Sequence, residues 1–128
     1  MPHFRIEYSA NLKSKFNAAD FCKVMHKAIL ETGLFEIGAI RVRAFCASDF
    51  AIADQLPENA YIDMNFNVGE GRSVQALKQA GEHIFKSAND YLAQLLATPH
   101  FALSFQITEI SAGLSWKNNS MHARLRGK

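Results

Sequence analysis

The feature that most constrains this chain is a pattern written twice: an alternating strand, an amphipathic helix and a second alternating strand. In the first unit Phe4, Ile6 and Tyr8 alternate with His3, Arg5 and Glu7, the two-residue period of a half-buried strand. The polar stretch from Ser9 to Lys15 reads as a loop. Phe21, Val24, Met25, Ala28 and Ile29 then fall at helical spacing, which predicts a helix from about Asn17 to Thr32, closed by Gly33. A strand from Ala39 to Ala47 completes the unit. Ile40, Val42, Ala44 and Cys46 form its apolar phase, and Arg41, Arg43 and Phe45 the other.

A mixed connection from Ser48 to Asn59, with a short helical turn expected around Phe50 to Asp54, leads into the second unit. Its first strand, Tyr61 to Val68, sets Ile62, Met64, Phe66 and Val68 against Tyr61, Asp63, Asn65 and Asn67. The turn Gly69-Glu70-Gly71-Arg72 precedes Ser73, a good N-cap. One helix is expected from Ser73 to about Ala97, burying Val74, Leu77, Ala80, Ile84, Ala88, Tyr91, Leu92 and Leu95 and stopped by Pro99. The last strand runs from Phe101 to Ile110. From Ser111 onward the chain reads as a cover segment with little regular structure.

Two strand–helix–strand units, each with parallel strands and a right-handed crossover, predict one α+β domain over residues 1–128. The duplicated β-α-β units form a four-stranded mixed sheet with two helices on one face. The opposite face is unusually polar, carrying His3, Arg5, Glu7, Asp63, Asn65, Asn67, Ser104, Gln106 and Thr108. It is either solvated or lines a wet interior between subunits.

Several function classes are disfavoured. A net charge of +2, with one short basic run at Arg124 to Lys128, gives no argument for nucleic acid. No apolar run reaches the ~18 residues needed to cross a bilayer, and no signal peptide is read before the first strand. Cys22 and Cys46 are expected as buried free thiols in a reducing cytoplasm. None of the five histidines has metal-ligand spacing to another histidine or a cysteine, so no metal site is expected. The glycine-rich turn lacks the third glycine of a dinucleotide fingerprint, Val74 standing in its place.

The remaining candidates are Pro2, Arg41, Arg43 and Arg72. Methionine before a small residue is usually trimmed, which leaves Pro2 as a terminal secondary amine able to act as a general base. Proline there also serves simply as a strand-start residue. Arg72 stands at a helix start, where backbone N–H groups favour anions. Arginines of this kind are otherwise solvated surface residues. Taken together, an amine base and two or more arginines suit proton movement in a carboxylated, conjugated acid.

The segments Met1-Pro2-His3-Phe4, Gly38-Ala39-Ile40-Arg41-Val42-Arg43, Gly69-Glu70-Gly71-Arg72-Ser73, Gln79-Ala80-Gly81-Glu82, Ala102-Leu103-Ser104-Phe105 and Lys117-Asn118-Asn119 resemble the 5-carboxymethyl-2-hydroxymuconate isomerases of the tautomerase superfamily. The resemblance spans nearly the whole chain. It implies a cytoplasmic, cofactor-free homotrimer with a di- or tricarboxylate substrate, acting in homoprotocatechuate degradation by a proton shift of the 1,3 type. It implies Pro2 as the proton shuttle, with Arg41 and Arg72 binding carboxylate or enolate oxygens. Some relatives carry an arginine early in the first loop, where this chain has Asn11-Leu12-Lys13, and Arg72 takes that role in the second repeat. Two other readings are a promiscuous tautomerase of phenylpyruvate-like enols and a non-catalytic interaction protein on the same fold.

Overall fold

The structure, a computed structural model, describes residues 2–127. Strands β1 (His3–Ser9), β2 (Arg41–Ala47), β3 (Ala60–Gly69) and β4 (Phe101–Ile110) form one mixed sheet in the order β2-β1-β3-β4. Within each repeat the strands are parallel, and the two central strands, β1 and β3, are antiparallel. This is the duplicated sheet expected from the alternation.

Helices α1 (Ala18–Glu31) and α2 (Val74–Tyr91) supply the crossovers. Both starts are capped locally: the Asn17 side chain accepts from the Asp20 N–H, and Ser73 Oγ accepts from the Ala76 N–H. Gly33, at φ 72°, turns the chain out of α1. Fully buried Phe4, Ile6, Ile62, Met64 and Phe66 from the strands meet Phe21, Met25, Ile29 and Ile84 from the helices in one core. The helices join through Phe21 and Tyr91, whose rings stack at 5.3 Å. No helix among the described residues is long and apolar enough to cross a membrane.

The departures from expectation have local causes. The long second helix is interrupted at Leu92, whose backbone leaves helical dihedrals (φ −99°, ψ 17°) while its side chain stays buried, and α3 (Ala93–Leu96) follows. Val74 is 79% exposed, because the buried stripe starts a turn later at Leu77. The loop after β1 contains a 3₁₀ turn, Ala10–Leu12, that buries Leu12 completely. β2 begins at Arg41, since Ile37–Ala39 form another 3₁₀ turn. As an edge strand β2 is incompletely covered, leaving Cys46 exposed and Cys22 half-buried, so neither free thiol has the full burial expected.

The connection 48–59 holds no helical turn. Ala53 and Gln55 adopt positive φ, and the Asn59 amide fastens the loop by donating to Ile52 O and Asp54 Oδ1. The C-terminal cover is more regular than expected, with a 3₁₀ turn at Ala112–Leu114 and a short helix α4 (Met121–Leu125). Here α4 docks on Gly38, where a Cβ would lie 3.0 Å from His122 Nδ1. Arg126 donates to both carboxylate oxygens of Glu36 and ties this end to the rest of the chain.

Candidate active site

The start of β1 sits in the middle of the sheet, and antiparallel pairing sets His3 opposite Asn67. The preceding residue, Pro2, is thereby carried beside the end of β3 and the loop that follows it. Pro2 is buried and lines a cavity of about 600 Å³, together with Phe35, Arg72, Asn118 and His122. Arg72 reaches it because β3 ends at Gly69 and the turn passes through Gly71, at φ 115°.

The Arg72 guanidinium is held on three sides. Its Nη1 donates to Gly69 O (3.3 Å), its Nη2 donates to Leu34 O (3.2 Å), and its Cζ lies 4.4 Å from the Phe35 ring centroid. A guanidinium carries five N–H donors, so several remain for a ligand.

Arg41 is the direct β2 partner of His3 and therefore falls on the opposite strand phase from Pro2. It lines an adjoining cavity of about 470 Å³ with His3, Trp116 and Lys117. The two cavities share the wall Lys117, Asn118 and Asn119. Two Arg41 nitrogens, Nε and Nη2, are shut off from solvent with no hydrogen-bond partner. Buried donors are normally paired, so these two N–H groups of the single chain remain available to an acceptor.

Arg43 does not line either cavity; its Nη1 donates to His3 Nδ1 at 3.1 Å, with the imidazole as acceptor. Burial, then the charges of Arg41, Arg43 and Arg5, push the His3 pKa down to about 4, so this ring is neutral near pH 7. Among the described residues none of these three arginines has a carboxylate ion-pair partner. The result is a strongly positive patch immediately beside residue 2.

The acids of the Pro2 cavity are already engaged. Glu36 is bound by Arg126, whose hydrogen bond pulls the carboxyl below its usual range, and His122 Nδ1 lies 3.7 Å away. Glu70 Oε2 accepts from the Ala112 N–H at 2.8 Å. Among the described residues there is no cluster of three metal-ligating side chains.

The structure thus brings Pro2 and Arg72 into one cavity, sets Arg41 in the next, and leaves Arg43 supporting His3. Met1, whose removal would free the Pro2 nitrogen, lies outside the described residues. The His122 and Glu36 contributions were not legible in the sequence. Their one local trace is Asn119, whose Oδ1 accepts from Met121 N at the start of α4.

Known proteins resemble this chain along nearly its whole length. The family model described as 5-carboxymethyl-2-hydroxymuconate isomerase matches residues 2–125. An Escherichia coli protein named 5-carboxymethyl-2-hydroxymuconate Delta-isomerase is 32% identical over 123 residues, covering 96% of this chain and 98% of the relative. The crystal structure of a 5-carboxymethyl-2-hydroxymuconate isomerase from Deinococcus radiodurans R1 superposes with a TM-score of 0.89 at 32% identity, over 96% of this chain and 92% of that one. A fused 4-OT symmetric trimer shares the fold at a TM-score of 0.64 and 12% identity, over 91% of this chain and 93% of that one. The protein is an isomerase of the tautomerase type, and its chain belongs to the 5-carboxymethyl-2-hydroxymuconate isomerase family.

Proposed function

We propose that this protein is a 5-carboxymethyl-2-hydroxymuconate Delta-isomerase that uses Pro2, freed of Met1, as its proton shuttle in the cytoplasmic degradation of homoprotocatechuate. The Pro2 nitrogen takes the enol O–H proton of the 2-hydroxy-2,4-diene, and the electron pair moves through the diene. A proton is then delivered to C5, leaving a C2 ketone and a C3=C4 double bond, and the amine is again free. Arg72 holds a carboxylate, and Arg41 stabilises charge on the dienolate oxygens.

The observation that carries this reading is the pair of orphaned Arg41 donors in a cavity that shares a wall with the Pro2–Arg72 cavity. Two separated cationic sites suit a long conjugated diacid, whereas a monocarboxylate enol would engage only one of them. The positive charges that depress His3 also act on the neighbouring nitrogen of residue 2, favouring its neutral, basic form. The reaction needs no redox step, because a proton changes place and nothing is oxidised.

The test is an ultraviolet assay following loss of the dienol with protein shown by mass spectrometry to begin at Pro2. Turnover well above the buffer rate is expected. A rate equal to buffer overturns the reading.

A further inference from the structure

We propose that Lys117 forms a third carboxylate subsite at the junction of the two cavities and reads the carboxymethyl branch of the substrate. This rests on the isomerase reading above and deepens it.

The segment bearing Lys117 is a strap fastened at both ends. On one side the Ala112 N–H donates to Glu70 Oε2 at 2.8 Å. On the other, Asn119 Nδ2 donates to Gly38 O at 2.6 Å, and Asn119 Oδ1 accepts from the Met121 N–H at 3.0 Å. Between these anchors Ser115 and Trp116 line the Arg41 cavity alone, and Lys117 and Asn118 belong to the wall common to both cavities. Lys117 is therefore carried by a positioned backbone, although its own side chain is exposed.

Charge supports the same conclusion. The Pro2 cavity holds Arg72 and the adjoining one Arg41, and Lys117 borders both. Glu36 and Glu70 are occupied by Arg126 and Ala112, and Lys117 makes no ion pair or hydrogen bond among the described residues. A diacid with its ends at Arg72 and Arg41 must cross the boundary that Lys117 borders. The carboxymethyl branch leaves C5, beside the C6 carboxylate at one end of the chain. Lys117 borders the cavity that receives that end in either orientation, offering a flexible ammonium with three rotatable donors.

The substrate's three carboxylates thus face three cations. A dienol diacid without the branch would leave Lys117 unused, so this residue sets specificity and takes no part in the proton shift.

The experiment compares wild type, Lys117→Met and Lys117→Arg on 5-carboxymethyl-2-hydroxymuconate and on 2-hydroxymuconate, which lacks the branch. Lys117→Met is expected to lower the ratio of kcat/KM, branched over unbranched, about tenfold, as loss of a charged contact does. The loss should appear mainly in KM, and Lys117→Arg should restore most of the ratio. A Lys117→Met ratio within about twofold of wild type overturns the proposal.

Calorimetric binding of propane-1,2,3-tricarboxylate and of glutarate separates the two readings. Selective weakening of the tricarboxylate in Lys117→Met keeps the subsite even if the wild type turns over neither dienol. Equal binding of the tricarboxylate by wild type and Lys117→Met removes it.

Discussion

The Arg72 guanidinium lies over the Phe35 ring, 4.4 Å from its centroid, so a core aromatic fixes the orientation of a cation in the Pro2 cavity. Phe35 is itself anchored edge-on against Phe66 at 5.3 Å. Arg72→Ala should raise KM roughly 10- to 100-fold with a smaller effect on kcat, the size expected for a charged hydrogen bond of ~1.5–3 kcal/mol. Arg72→Lys should also be impaired, since it keeps the charge but loses the planar fork. Phe35→Leu should raise KM less than Arg72→Ala does. Steady-state kinetics with wild-type values for Arg72→Ala would return this arginine to the surface.

Arg41 presents the opposite balance between stability and activity. Its Nε and Nη2 are buried without partners, an arrangement that costs folding free energy of order 1–3 kcal/mol per unsatisfied group. Arg41→Met should therefore lower kcat while raising Tm, by about 3 °C or more for a domain of this size. Calorimetry showing a lower Tm would mean that Arg41 is paired in the assembled protein.

Retention of Met1 turns the Pro2 nitrogen into an amide without basicity, so the unprocessed form should be inactive. The two forms are separable by mass and can be assayed side by side. Equal turnover by both would remove Pro2 from the mechanism.

The polar sheet face carries three arginines without ion-pair partners among the described residues and an exposed Phe45, a surface suited to enclosure between copies. We expect a homotrimer, with a solution mass three times the 14.3 kDa chain. Light scattering at micromolar concentration that returns the mass of a single chain would exclude it.

His3 should make the protein acid-sensitive over a defined window. Its pKa is about 4 when folded against 6.5 for a free imidazole, so between these values the unfolded chain binds a proton that the folded chain refuses. This contribution to stability is complete above pH 6.5 and fades as the pH falls toward 4. Melting temperatures of wild type and His3→Gln should diverge across that interval, wild type falling more steeply. Parallel curves would show that the imidazole titrates normally.

Much of the fold was written in short-range pattern, because strand alternation, helical spacing and capping depend on neighbours a few residues apart. Ile62, Met64, Phe66 and Val68 marked the buried phase of β3, and Asn17 and Ser73 marked the helix starts. The same signals misplaced Val74 and missed the break at Leu92, since how far a helix stays covered depends on what packs against it. Pro2, Arg41 and Arg72 were likewise recognisable as candidates from their residue types and local settings. Their division between two cavities follows from the parallel pairing of His3 with Arg41 and the antiparallel pairing of His3 with Asn67, which involve residues dozens of positions apart. Only the tertiary structure could close α4 onto Gly38, engage Glu36 with Arg126 and lay Lys117 along the shared wall. Those contacts bring α4 and Arg126 to the connection before β2, and no periodicity in the sequence encodes a distance of that kind.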